Sequence, residues 1–275
     1  MKQVVAEMPS QRDIRSPDDG SPELVPGELS SQLDDCAVLL DIDGTLLDLA
    51  PTPREVWVPP DLATTLNRLL ERTSGALALV SGRSLNDIDL IFAPELFPAV
   101  GGHGAEMRIS IESEAVATHA PPMDKELKGR LAAIAKLSPG ILLEDKGYSL
   151  ALHYRLAPHA EKAIYEAVSL IRAELPNAPI EVLPGKCVCE IKHSGFNKAS
   201  GVLELMTHEP FKGRRPIFIG DDVTDESVFA IMPDLRGLAF SVGRRAQGVA
   251  HHFDEPRDVR KWLAGLVEDG GAAAR

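Results

Sequence analysis

Ala37-Val38-Leu39-Leu40-Asp41-Ile42-Asp43-Gly44-Thr45 is an apolar run that stops on two carboxylates, a glycine and a hydroxyl. Two more runs end in a similar way. Ala76 to Val80 leads into Ser81-Gly82-Arg83, and Ile217-Phe218-Ile219-Gly220 leads into Asp221-Asp222-Val223-Thr224-Asp225-Glu226. Short apolar runs bounded by turn residues read as strands of a parallel sheet, buried on both faces. In open α/β sheets, ligands bind beyond the carboxyl ends of such strands. Asp41 and Asp43 are two residues apart, so along an extended segment they project to the same side.

Outward from these runs, strand and helix patterns alternate. Asp61 is expected to cap a helix carrying Leu62, Leu66, Leu69 and Leu70 on one face. Ser84 caps a short helix through Phe92 that Pro94 stops, and Phe97–Val100 is a strand entering Gly101-Gly102-His103-Gly104. Asn197 opens a helix with Val202, Leu203 and Met206, and Val228, Phe229, Ile231 and Met232 mark another that ends at Pro233. Leu238–Val242 reads as a strand, while Val259, Trp262, Leu263 and Leu266 have helical spacing. The alternation predicts an α/β fold with a doubly wound parallel sheet.

The middle of the chain, 109–194, has a different pattern. A helix near Lys125–Leu137 precedes a hairpin of Ile141–Glu144 and Tyr148–Arg155 turned at Lys146-Gly147. A helix over Ala160–Leu175 follows, then strands at Ile180–Leu183 and Lys186–Lys192. This predicts a smaller α+β cap inserted into the α/β core. Cys187, Cys189 and Ile191 share one strand face with Leu150, Leu152 and Tyr154 of the neighbour. The opposite face holds Lys186, Val188, Glu190 and Lys192 beside Ser149, Ala151, His153 and Arg155. That polar face is either solvated or a roof over the carboxylates. The expected division is a disordered tail 1–31, a core of 32–108 and 195–268, the cap at 109–194, and a tail 269–275.

The 275 residues carry a formal net charge of -12 with 44% apolar and 25% charged residues, an ordinary globular composition. The acidic balance and the lack of a dense Lys/Arg run argue against nucleic-acid binding. Cys36, Cys187 and Cys189 form no disulfide framework, and Cys-x-Cys is too short for the usual zinc spacing. With no apolar stretch near the ~20 residues of a membrane span and no signal-peptide core at Met1-Lys2-Gln3-Val4, the cytoplasm is the expected compartment.

The three strand-end clusters suggest magnesium-assisted phosphoryl transfer. Phosphate-monoester hydrolysis is very slow in water, and a carboxylate nucleophile divides it into two steps through an aspartyl-phosphate. Asp41 is the candidate nucleophile and Asp43 the candidate general acid and base. Mg²⁺ favours oxygen ligands and would screen the attacking carboxylate from the anionic phosphate; Asp221 is the candidate second carboxylate. Ser81 and the N–H of Gly82 could hold phosphate oxygens, with Lys198 supplying fixed positive charge. Taken singly, Asp-x-Asp-Gly-Thr also fits a turn, and Asp222, Asp225 and Glu226 also fit helix capping or the holding of metal-bound waters. The joint pattern, with a lysine ahead of the third strand, is far more specific than its parts.

At Asp41-x-Asp43-Gly-Thr, Ser81-Gly-Arg83, Lys198 and Gly-Asp221-Asp222 the chain resembles the haloacid dehalogenase-like phosphohydrolases. His103-Gly104-Ala105-Glu106, Leu152-His153-Tyr154-Arg155, Glu190-Ile191-Lys192 and Gly195-Phe196-Asn197-Lys198 narrow the resemblance to trehalose-6-phosphate phosphatases, over residues of about 38 to 226. It implies Mg²⁺ held by the carboxylates of Asp41 and Asp221 and the backbone carbonyl of Asp43. It also implies a cap closing over a small-molecule sugar phosphate. Glu190 and Lys192 would contact the sugar, with Lys186, Arg155, His103 and Glu106 as further candidates. Phosphatases of sucrose 6-phosphate or mannosylglycerate phosphate, or a non-catalytic sugar-phosphate-binding domain, would share much of this pattern. Ala199 and Ser200 follow Lys198 where the family usually has Gly.

Overall fold

Strand β1 (Cys36–Leu40) sends its side chains alternately into two cores: Val38 and Leu40 enter one, Ala37 and Leu39 the other. That period-two division is what a strand covered on both faces requires. The structure is a computed structural model and describes residues 33–50, 55–112, 117–118, 120–185 and 187–268. The expected tails and Lys186 lie outside the described residues.

After β1 come α1 (Pro60–Arg72), β2 (Leu77–Val80), α2 (Leu85–Phe92), β3 (Ala99–Gly101), β4 (Glu106–Arg108) and β5 (Ala117–Thr118). The inserted segment then forms α3 (Lys125–Ala133), β6 (Leu142–Asp145), β7 (Ser149–His153), α4 (Glu161–Glu174), β8 (Ile180–Gly185) and β9 (Val188–His193). The chain returns through α5 (Lys198–Leu205), β10 (Arg215–Gly220), α6 (Glu226–Ile231), β11 (Leu238–Val242), β12 (His251–Phe253) and α7 (Pro256–Glu268).

The large sheet has the order β12-β11-β10-β1-β2-β3-β4-β5 and is parallel from β12 to β3. Helices α1, α2 and α7 bury Leu66, Ile88 and Leu263 against one face, while α5 and α6 bury Val202 and Val228 against the other. The fold is therefore doubly wound. From β1 the chain proceeds outward through β2 and β3, then returns to the other side of β1 with β10. Strand order reverses between β1 and β10, and the crevice beyond their carboxyl ends is where such sheets bind ligands.

The small sheet, ordered β6-β7-β9-β8, is antiparallel throughout. Leu150, Leu152, Cys189 and Ile191 point from it into a third core with α3 and α4. Cys189 is fully buried there and behaves as a small apolar residue. The opposite face is not simply solvated: Ser149, Ala151 and Lys192 are all buried.

Several local expectations need correction. Asp61 does not cap α1; the helix starts one residue earlier with Pro60 at its first position, and Asp61 lies in the first turn. Proline is pre-set for that position and gives up an N–H that would have had no helical partner. In α5, Leu203 is exposed and Leu205 takes the buried place. The helix expected through Leu137 tightens after Ala133 into a 3-10 turn, Ile134–Leu137. Strands β4, β5 and β12, of two or three residues each, are too short for periodicity to mark; β4 and β5 extend the large sheet antiparallel past β3.

Candidate active site

Asp41 is the first residue past β1, and its N–H donates across the sheet to Ile219 O at 2.9 Å. The chain then folds back on itself through a bridge between Asp43 and Leu47. Gly44 makes this possible, with φ +82° and no room for a side chain: a Cβ there would sit 2.1 Å from Asp221 Oδ2. Thr45 Oγ1 donates to Asp41 Oδ2 at 3.2 Å.

Lys198 joins the first motif to the third. Its ammonium donates to Asp41 Oδ1 and to Asp225 Oδ1, both at 2.7 Å, and all three side chains are buried. The start of α5 holds the lysine in place. The Asn197 side chain accepts from Ser200 N at 2.8 Å, and Ser200 Oγ accepts from Asn197 N at 3.0 Å, a reciprocal capping box. Ser200 thus reinforces the helix start.

Asp225 is the residue that local reasoning undervalued. It makes no side-chain cap for α6. Its second oxygen, Oδ2, accepts from the N–H groups of Asp221 at 2.9 Å and Asp222 at 3.1 Å. One carboxylate therefore fixes both Lys198 and the loop carrying Asp221. Asp222 is taken up locally, accepting from Thr224 N at 2.6 Å and Thr224 Oγ1 at 2.7 Å.

Asp41, Asp221 and Asp225 each offer an oxygen within 4.8 Å of the others. Burial pushes the carboxyls of Asp41 and Asp225 up, with Lys198 opposing. Asp221 is raised to about 6, by burial first and then by the charges of Asp225 and Asp222. Burial also opposes the charge on Lys198, but Asp41 and Asp225 together raise its pKa. Three crowded carboxylates facing one ammonium form an oxygen-donor set short of positive charge, which suits a hard divalent cation.

Ser81 and Gly82 lie beyond β2. Ser81 is buried, and His103 N donates to its carbonyl at 3.1 Å. Arg83 grips Asp43 with a two-pronged guanidinium contact, Nε to Oδ2 at 2.5 Å and Nη2 to Oδ1 at 2.6 Å. The His103 ring packs on Gly82, where a Cβ would come within 2.4 Å of it. Burial lowers the His103 imidazole to about 4; Glu190 pulls the other way, and Lys198, Lys192 and Lys146 add to the fall. A neutral ring here can donate through one nitrogen and accept through the other.

The cap brings only some of the expected residues to this place. Ser149 pairs with Lys192 and Ala151 with Glu190 across β7 and β9. Glu190 Oε1 accepts from Ser149 Oγ at 2.9 Å and lies 3.5 Å from Lys146 Nζ. Nothing in the sequence around Lys146 marks it beyond its place in the hairpin turn; the fold brings it to Glu190 and His103. Lys192 donates to the Phe196 carbonyl and pairs with Glu181 at 2.9 Å. Arg155 is exposed past the far end of β7. It lies in a turn, two residues beyond the last residue of that strand. Glu106 has both oxygens engaged, accepting from Tyr148 OH at 2.9 Å and Leu85 N at 2.6 Å.

The trehalose-phosphatase family model matches residues 39–260. The chain is 44% identical over 217 residues to a probable trehalose-phosphate phosphatase of Sinorhizobium fredii, covering 78% of this chain and 80% of that protein. It is 38% identical over 228 residues to the trehalose-6-phosphate phosphatase of Escherichia coli, covering 82% and 85%. Among solved structures, the C-terminal domain of Candida albicans trehalose-6-phosphate phosphatase shares the fold with a TM-score of 0.72 at 21% identity, over 88% of this chain and 95% of that one. With the match running through all three strand-end clusters and the inserted cap, the chain belongs to the trehalose-phosphatase family.

Proposed function

We propose that this protein is a Mg²⁺-dependent phosphatase that hydrolyses trehalose 6-phosphate to trehalose and phosphate. The observation that carries the reading is the Lys198 ammonium, shared at 2.7 Å between Asp41 and Asp225 at the point where strand order reverses. In this reading Asp41 attacks phosphorus as the bond to the sugar oxygen breaks, and Asp43 gives the departing oxygen a proton. Asp43 then takes a proton from the water that attacks the aspartyl-phosphate, releasing phosphate and restoring Asp41. Ser81 and Gly82 N–H hold phosphate oxygens, and Lys198 neutralises charge on Asp41 and phosphate. Mg²⁺ would be held by the carboxylates of Asp41 and Asp221 and the carbonyl of Asp43, where it supplies Lewis-acid charge. Residues 109–194 act as the cap, with Glu190 and Lys192 facing the sugar from the cap and His103 from the core. Phosphate release from a panel of sugar phosphates, with Mg²⁺ and with chelator, tests the whole reading. Turnover of another sugar phosphate in preference to trehalose 6-phosphate would replace the substrate.

A stability measurement tests the metal independently of turnover. The folded pKa of Asp221, about 6, lies above its ordinary 3.8. Its contribution to stability is therefore present below the ordinary value and lost as pH rises through the folded one. A cation removes that penalty only where the carboxylate is ionised. Mg²⁺ is expected to raise Tm more at about pH 7.5 than at about pH 5, with chelator reversing the shift. A shift of equal size at both pH values would count against this site as the place of binding.

Glu190→Ala tests the sugar contact. Loss of a charged hydrogen-bond partner is expected to lower kcat/KM for trehalose 6-phosphate by roughly tenfold to a hundredfold. Turnover of p-nitrophenyl phosphate, which has no sugar, should stay within about threefold of wild type, the scale of a weak surface effect. Equal losses on both substrates would place Glu190 in the core chemistry instead.

A further inference from the structure

Glu106 stands where the core, the cap and the phosphate loop meet. It opens β4 on the core sheet, and its two carboxylate oxygens go to different parts of the molecule. Oε1 accepts from the phenol of Tyr148, which immediately precedes β7 of the cap, at 2.9 Å. Oε2 accepts from the N–H of Leu85, the first residue of α2, at 2.6 Å.

Each arm ends in a built environment. Tyr148 is buried in a small apolar cluster with Ala105 of the core and Ala120, and Phe196 packs against it. Ala120 and Phe196 lie on the outgoing and returning connections between the two sheets, so this cluster is the joint between core and cap. Gly102 leaves space for the Tyr148 ring: a Cβ there would be 2.2 Å from the phenol oxygen. Burial and the Glu106 carboxylate push the phenol up, so it stays a donor at any working pH.

The other arm reaches the loop that carries Ser81, Gly82 and Arg83. Gly102 N donates to Arg83 O at 2.7 Å and His103 N to Ser81 O at 3.1 Å, which holds this loop from the side of β3. Glu106 secures its far end at Leu85, next to the Ser84 cap, whose side chain accepts from Asp87 N at 3.1 Å. Arg83 within the loop carries the fork to Asp43.

We propose that Glu106 is a positioning residue that seats the cap on Tyr148 with one oxygen and holds the Ser81–Arg83 loop through Leu85 with the other. The placement of the cap over the site and the placement of the phosphate loop then depend on one side chain. The proposal rests on the phosphatase reading above for its kinetic consequences. It assigns Glu106 no contact with the sugar.

The experiment uses the full chain with Tyr148→Phe, Glu106→Gln and Glu106→Ala, each assayed on trehalose 6-phosphate and on p-nitrophenyl phosphate. Hydrogen–deuterium exchange over 84–88 and over 120–123, where Ala120 and Met123 carry the N–H groups beside Pro121 and Pro122, is measured in parallel. Tyr148→Phe removes only the cap arm. It is expected to cut kcat for the sugar phosphate about tenfold with little effect on the aryl phosphate, the scale of one buried hydrogen bond. Exchange should rise at 120–123 and not at 84–88. Glu106→Ala removes both arms, so both substrates lose about tenfold or more and exchange rises in both segments. Glu106→Gln restores both to within about threefold, because its amide oxygen accepts from Leu85 and its NH₂ donates to the phenol oxygen.

A Glu106→Ala variant impaired only on the sugar phosphate, with unchanged exchange at 84–88, would make Glu106 a sugar contact and overturn the proposal. So would a Tyr148→Phe variant with unchanged exchange at 120–123, or a lower Tm with neither substrate affected. If wild-type protein turns over the aryl phosphate and not trehalose 6-phosphate, the substrate reading fails. The aryl-phosphate and exchange comparisons then decide the positioning role without it.

Discussion

Asp41→Asn is expected to abolish phosphate release, with a fall in kcat of at least about 10⁴-fold, on the scale seen when a nucleophile is removed from an enzyme that acts through a covalent intermediate. The protein should remain folded. The asparagine oxygen can still accept from Lys198 or Thr45, whose donors lie at 2.7 and 3.2 Å from Asp41. With that oxygen on Lys198, the NH₂ faces Thr45 Oγ1, which can accept as well as donate. Lys198 keeps its ion pair with Asp225, and one of three crowded carboxylates is gone. Tm should therefore change little or rise, the common exchange of stability against activity at a charged site. Phosphate release and thermal unfolding measured on the same preparation check both halves. A folded Asn variant with wild-type turnover would remove Asp41 from the nucleophile role.

The second large effect is expected at Asp225, which lies in α6's approach and is completely buried. Asp225→Asn has no good orientation. If its NH₂ faces Lys198, two donors meet; if it faces the N–H groups of Asp221 and Asp222, the same conflict arises there. Breaking one side of a buried ion pair costs about 3–5 kcal/mol. Activity should fall about 10²- to 10³-fold, the usual loss when a preorganised charge-stabilising contact is disturbed. Chemical denaturation and kcat on an aryl phosphate test this, because that substrate does not call on the cap. Full activity in a normally stable Asn variant would mean that Lys198 is held well enough by Asp41 alone.

The expected positions of β1, β2, β10 and β11 lie within about two residues of the observed ones, since each is an apolar run cut off by turn residues. The caps at Ser84 and Asn197 were legible for the same reason: a cap is satisfied within three residues of itself. Asp61 misled because Asp is a good cap and also favourable in a first turn, and Pro60 decided between the two. The short strands β4, β5 and β12 carry too few residues to show a period and exist because a neighbouring strand offers them an edge.

The sequence by itself determined which residues stand at the ends of the central strands, and so Asp41, Asp43, Ser81 and Asp221 as one group of candidates. Apolar runs, their lengths and their stopping residues are local properties, and local properties are written in order along the chain. Lys198 joins that group from the sequence too, by its place ahead of the third strand; the tertiary structure alone decided which side chains touch within and around the group. Lys198 meets Asp41 across 157 residues, Arg83 meets Asp43 across 40 and Tyr148 meets Glu106 across 42. Asp225 and Asp222 look equivalent in the sequence; only the packing of α5 against α6 turns the first onto Lys198 and leaves the second on Thr224. No local pattern marks such pairs, because their geometry is set by how sheets and helices pack and not by spacing along the chain.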